Sequence, residues 1–312
     1  MQQIDLENEF LKVTILDVGA TIYQFIVKSL NRNIVLSYED LELYKSRDDG
    51  FFGSTIGRVS GRIKNSTVKI DNKKIILDID NSIFLHGGKD GFSTREFKVT
   101  EKNSTKVKLQ LNSFQDSNFP GIFSLTVIYS LSGKNLNLEY FATCTEKTPV
   151  SITNHSYFNL NGDETINNHI LDFEFEKVQE WDKNLIPTGK NIIKKDSYFD
   201  TKGDKKLQTL LEQVKNFNNV GIDNYFYTNS KEIKLKVSDL ELKINYSFPG
   251  TVLYSSNYPT FKKLTDKSSY TLHKAIAIEP SYPVDSLNNN IKPSTINPFE
   301  VFHESINYEV IC

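Results

Sequence analysis

The chain has 312 residues, 38% of them hydrophobic, and a net charge of −2 from 37 basic and 39 acidic side chains. That length buries a full core without staples, two cysteines (Cys144 and Cys312) are too few for a disulfide framework, and the balanced charge offers no field for nucleic acid or an acidic membrane. The first residues, Met1-Gln2-Gln3-Ile4-Asp5-Leu6-Glu7, lack a basic and an apolar targeting region, and no run approaches the ~20 apolar residues of a membrane span, so the expectation is a cytoplasmic protein.

The chain holds 21 Phe and 15 Tyr against four alanines (Ala20, Ala142, Ala275 and Ala277). Aromatic residues fit pleated, half-buried surfaces, whereas alanine is the best helix former; the composition predicts a mainly β protein. In chain order, a helical turn is expected near residues 38–44, and strands at 67–70, 75–79, 107–112 and 123–131. Leu136, Leu138, Tyr140 and Ala142 then alternate with Asn137, Glu139, Phe141 and Thr143, the mark of a strand with one wet face. Another strand is expected at 170–175. Leu207, Leu210, Leu211 and Val214 recur at helical spacing behind Asp204, a candidate N-cap, which predicts a short helix over 205–215. Alternation resumes through Ile233, Leu235 and Val237 and again through Leu240, Leu242, Ile244, Tyr246 and Phe248, and a last strand is expected at 306–311. Turn residues separate these runs, including Asp71-Asn72, Ser132-Gly133, Ser238-Asp239 and Pro249-Gly250. No linker, repeat or low-complexity block divides the chain, which predicts one large antiparallel sandwich domain over residues 1–312 with one or two short helices.

Four segments break the alternation. In Gly53-Ser54-Thr55-Ile56-Gly57-Arg58-Val59-Ser60-Gly61-Arg62-Ile63, three glycines permit unusual backbone angles and two arginines can donate to oxygen-rich ligands. The spacing matches neither phosphate-binding glycine pattern, and a hairpin with solvated arginines explains it as well. In Phe84-Leu85-His86-Gly87-Gly88, a histidine sits before paired glycines, a donor at a loop tip. The five histidines (His86, His155, His169, His273 and His303) share no H-x-x-x-H spacing, so no metal is expected. Thr153-Asn154-His155-Ser156-Tyr157-Phe158-Asn159-Leu160 places a histidine among small polar and amide residues, a setting for a proton donor or for a loop tether. Ala275-Ile276-Ala277-Ile278-Glu279-Pro280 closes an apolar strand with a carboxylate, and burial there would raise its pKa toward a useful base range. Glu279 with Asp223 would alternatively make the facing carboxylates of a glycosidase.

Taken in order, these segments resemble the aldose 1-epimerase (galactose mutarotase) family from Gly53 almost to the C-terminus. The family's G-R-[YV]-[AS]-[NG]-R-I is matched by Gly57-Arg58-Val59-Ser60-Gly61-Arg62-Ile63, its L-H-G-G by Leu85-His86-Gly87-Gly88, its N-H-[ST]-Y-F-N-L by the run from Asn154 to Leu160, and its P-T-G by Pro187-Thr188-Gly189. The resemblance implies a galactose-mutarotase β-sandwich, no cofactor, and a small-molecule sugar as substrate; no nucleic-acid or membrane partner is expected, and oligomeric state is not readable from the sequence. It implies His155 as the acid on the ring oxygen, Glu279 as the base on the anomeric hydroxyl, and Arg62, His86 and Asp223 as sugar-binding residues. Tyr157-Phe158 and Tyr225-Phe226 would supply aromatic faces.

The chain departs from the family at binding positions. Gly61 stands where many members carry Asn, Asn224 follows Asp223 in place of His, and Phe248-Pro249-Gly250 replaces Gln-Pro-Gly. Glu279-Pro280-Ser281-Tyr282-Pro283-Val284-Asp285 lacks the glutamine of E-x-Q-x-x-P-D and shifts its proline–aspartate pair. The expected activity is interconversion of the anomers of a free hexose, galactose or glucose. Two alternatives stay open: a carbohydrate-binding protein with weak or lost catalysis, and an epimerase for a different or modified sugar.

Overall fold

The computed structural model describes residues 1–312 apart from 47–49, 72, 79–83, 115, 198, 200–204, 219 and 292–294, and apart from the side chains of 216–218. The chain is mainly antiparallel β. The largest sheet has nine strands, in the order Lys98–Lys102, Lys106–Phe114, Ile122–Ser132, Asn135–Cys144, Phe302–Ile311, Leu240–Tyr246, Glu232–Val237, Ile170–Phe173 and Lys205–Lys206. Its strands read as the alternation predicts: in Asn135–Cys144 Leu136, Leu138, Tyr140, Ala142 and Cys144 are buried and the residues between them are partly wet. A four-stranded sheet of Gln3–Glu7, Leu11–Leu16, Thr21–Val27 and Arg32–Asn33 precedes it.

The sheet that builds the site has six strands, in the order Tyr157–Phe158, Ile276–Ser281, Gly250–Tyr254, Asp223–Tyr227, Lys177–Trp181 and Pro187–Ile193. One face contributes Phe158, Ile276, Ile278, Leu253, Phe226 and Val178 to a core shared with the two other sheets. The other face therefore presents Tyr157, Ala277, Glu279, Val252, Tyr254, Asp223 and Trp181, because successive side chains on a strand point to opposite sides. Ile276–Ser281 is buried at every position since both of its faces are covered. A one-residue slip would bury Glu279 in the core and turn Ile278 into the cleft.

The one α-helix among the described residues is Leu207–Asn218, with Leu207, Leu210, Leu211 and Val214 buried. It starts later than expected because Lys205 and Lys206 pair with Leu171 and Ile170 as a sheet edge; Asp204, the candidate cap, lies outside the described residues. The turn expected near 38–44 is the 3-10 turn Leu41–Lys45, capped by the Asp40 carboxylate accepting from the Glu42 N–H. The second strand expected at 75–79 is Lys73–Ile76, and Ile79 and Asn72 lie outside the described residues. No described helix is long and apolar enough to cross a membrane.

Candidate active site

A cleft of about 350 Å³ opens over the six-stranded sheet, within the ~300–1,000 Å³ of small-molecule sites. Its floor is the sheet face just described. Val252 pairs with Glu279, Tyr254 with both Ala277 and Asp223, and Tyr157 with Ala277. Loops from the glycine-rich segments supply the rest of the lining, including Gly61, Arg62 and His86. All five residues singled out in the sequence (Arg62, His86, His155, Asp223 and Glu279) line this one cleft.

His155 is held by its backbone. Its N–H donates to the Ser54 carbonyl and its own carbonyl accepts from the Gly53 N–H, each at 2.9 Å. The neighbouring Asn154 donates to the Gly53 carbonyl at 2.7 Å. Gly53 can only be glycine: with φ at +70°, a Cβ would lie 2.1 Å from the Ile22 carbonyl oxygen. The imidazole stacks on Tyr157 (ring centroids 4.9 Å apart) and on Phe51 (5.8 Å). These rings leave it 4% exposed, and the same burial pushes its pKa down to about 3. Its Nδ1 is buried with no hydrogen-bond partner, while Nε2 lies 3.4 Å from Oε1 of Glu279.

Glu279 is 3% exposed, and burial holds its carboxyl well above the usual range; the Asp223 charge pushes the same way and Arg62 opposes it. Asp223 is pushed up to about 6 by burial, again against Arg62. His86 exchanges hydrogen bonds with Gly61. The His86 N–H donates to the Gly61 carbonyl at 3.1 Å, and Nδ1 accepts from the Gly61 N–H at 3.2 Å. That acceptance places the ring hydrogen on Nε2. The Arg62–Leu85 pairing carries the arginine beside the histidine. Linear spacing gave no metal motif, yet His86, His155 and Glu279 bring one donor atom each within 4.8 Å of one another and are the residues that could hold a cation.

The two arginines of the glycine-rich segment have opposite fates, and neither is the solvated arginine of a plain hairpin. Arg58 is fully buried, ion-paired with Asp116, and donates to the Pro120 carbonyl (2.7 Å) and Thr148 Oγ1 (2.9 Å). Only Arg62 reaches the cleft. Of the aromatics expected at the site, Tyr157 lines it, while Phe158 and Phe226 are core residues and Tyr225 is buried with its hydroxyl on the Ser281 carbonyl. Sequence reasoning missed Phe51, Trp181, Tyr254, Tyr258 and Tyr270. Trp181 and Tyr254 had a readable signal, strand parity with Asp223, once the register was known. Among the family departures Gly61 and Val284, which stands at the motif's proline position, line the cleft: Phe248 is in the core, and Asn224 and Ser281 are buried elsewhere with unpaired polar atoms.

The aldose 1-epimerase family profile matches residues 2–309. The chain is 29% identical to the human galactose mutarotase over 97% of its own length and 92% of that protein's. It is 28% identical to the aldose 1-epimerase of Escherichia coli K12 over 98% and 93% of the two lengths. The structure is similar to that of the GalM/aldose epimerase homologue from C. elegans, with a TM-score of 0.92, 27% identity, and coverage of 99% and 98% of the two chains. Family profile, relatives and fold agree over nearly the whole chain, which therefore belongs to the aldose 1-epimerase family.

Proposed function

We propose that this protein interconverts the α and β anomers of a free hexose, galactose or glucose, by ring opening and reclosure, with His155 as acid and Glu279 as base. The observation that carries the reading is the contact of a buried imidazole and a buried carboxyl, Nε2 to Oε1 at 3.4 Å, on the floor of a sugar-sized cleft. That separation is long for a hydrogen bond, so each group can turn to a third molecule.

Burial favours the pair with no net charge: it disfavours both a lone imidazolium and a lone carboxylate. Two proton arrangements share that net charge, imidazolium with carboxylate and imidazole with carboxylic acid. Ring opening converts the first into the second. The imidazolium gives its proton to the ring oxygen, the C1–O5 bond breaks with its electrons going to O5, and Glu279 takes the anomeric hydroxyl proton as C1=O1 forms. The open aldehyde turns about C1–C2. Reclosure runs the same transfers backward on the other face of C1. Net charge in the dry cleft is unchanged throughout, which keeps the desolvation cost of the step low. Arg62, His86 and Asp223 hold the sugar hydroxyls and ring oxygen.

The histidine beside Glu279 favours this reading over a carboxylate-pair glycosidase, which has no need of it. The test is polarimetry on freshly dissolved α-galactose and α-glucose with wild type, Glu279→Gln and His155→Asn. Each proton-transfer group contributes ~10²–10⁴-fold, so each variant is expected to lose that much of the enzymatic relaxation rate. Equal rates in all three proteins would sink the assignment, and sugar binding without faster relaxation in wild type would favour a carbohydrate-binding protein.

A further inference from the structure

Gly61 and Val284 are both departures from the family pattern that line the cleft, and they meet each other there. The φ of Gly61 is +77°, and a Cβ there would lie 2.8 and 2.9 Å from the two γ-methyl groups of Val284. The space a side chain at 61 would enter is filled by those methyls. Val284 is 3% exposed and is clamped from behind: its N–H donates to Oε1 of Gln179 and its carbonyl accepts from Nε2 of the same amide, each at 3.1 Å. Gln179 is itself buried on the site face of its strand, two residues before Trp181. Beside Gly61 the wall of the cleft is thus the fixed methyl pair of Val284, while Arg62, His86, Asp223 and the His155–Glu279 pair line it as well.

A sugar hydroxyl turned to that wall would lose its water and find methyl groups, and an unpaired buried hydroxyl is costly. A hydrogen or methyl at the same ring position loses nothing there and gains contact. We infer that Val284, held by Gln179 against Gly61, is a specificity determinant and that the cleft selects a deoxyaldose, a sugar with hydrogen or methyl where it meets Val284. This rests on the mutarotase reading and moves its preferred substrate from galactose or glucose themselves to a deoxy analogue.

The experiment measures polarimetric kcat/KM for galactose and glucose and for their 3-, 4- and 6-deoxy analogues, with wild type, Val284→Thr and Val284→Ala. Wild type is expected to turn over one deoxy analogue about 10-fold better than its parent, the usual scale for one group in an apolar pocket. Val284→Thr exchanges one methyl for a hydroxyl at constant shape and should return that ratio toward the parent sugar at the same ring position only. Val284→Ala adds no hydroxyl and should shrink the preference without reversing it. Preference for the parent sugar at every position in wild type, or ratios that neither variant moves, overturns the inference and leaves the mutarotase reading standing. Wild type that accelerates no sugar in the panel removes that reading, and the inference with it.

Discussion

Asp223→Asn is expected to stabilise the folded protein at neutral pH and to have almost no effect on stability in acid. The carboxyl of Asp223 is pushed from 3.8 to about 6 by burial, against the pull of Arg62. The folded state therefore holds this proton more tightly than the unfolded chain does. Below about pH 3.8 the group is protonated in both states and costs nothing. As pH rises toward about 6 the unfolded chain ionises first, and stability falls; above about 6 the loss is complete. A shift of about two units corresponds to about 3 kcal/mol at ~1.4 kcal/mol per unit. The residue faces an open cleft and is only half-buried, so about 2 kcal/mol is the better figure after allowing for solvent screening. With an unfolding entropy of about 2.1 cal/mol/K per residue, roughly 0.66 kcal/mol/K for this chain, that is a Tm increase of about 3 °C.

Calorimetry or dye-based melting of wild type and Asp223→Asn at pH 4 and pH 7.5 checks the sign. The variant should melt about 3 °C higher at pH 7.5 and within about 1 °C of wild type at pH 4. A shift equal at both pH values, or a destabilisation at pH 7.5, refutes the argument, because neither follows from removal of an ionisation penalty. Glu279 is raised by the same burial and partly by Asp223 itself, so Glu279→Gln should stabilise with the same pH sign. The double variant should fall short of the sum, since the two charges penalise each other. Stability gained by disarming a site is the expected exchange where polar groups are held for function.

Because the reactive pair carries one exchangeable proton, the relaxation rate should trace a bell with pH. It falls in acid as His155 and Glu279 both become protonated, and in alkali as the pair loses its last proton; the two limbs belong to the pair and not to either residue. Phe51→Ala should admit water to the imidazole that Phe51 stacks on and lift the His155 pKa from about 3 toward 6.5, visible by NMR titration of the ring; an unmoved resonance would show that Phe51 contributes nothing to its desolvation. Asp116→Asn leaves the guanidinium of the fully buried Arg58 without its counter-charge. It should cost about 3–5 kcal/mol of stability in denaturant unfolding, whereas Arg58 and Asp116 replaced together by apolar residues should cost less.

The fold was most legible where a long strand has one wet face. Asn135–Cys144 alternates strictly over a long run and is read at sight, but Gln3–Glu7 and Leu11–Leu16 alternate only over short runs, and the bulge between Thr14 and Ile15 is encoded in no local pattern, so the N-terminal sheet went unread. Ile276–Ser281 is covered on both faces and was legible all the same, as an apolar run closed by a carboxylate. A carboxylate buried there is a candidate site residue on physical grounds. Side-chain type and motif order identified all five residues that meet in the cleft, because proton transfer and sugar binding admit few residue types. Packing partners follow no such rule. Arg58 and Arg62 are four residues apart in one glycine-rich motif, and distant partners, Asp116, Pro120 and Thr148, decide that the first is a strut. Gly61 is the sharpest case. Its departure from the family pattern is visible in the sequence, but its meaning depends on Val284, on the Gln179 amide that clamps Val284, and on a sheet register that no local pattern encodes. A substitution that reads as a lost polar contact is, in three dimensions, one half of an apolar wall.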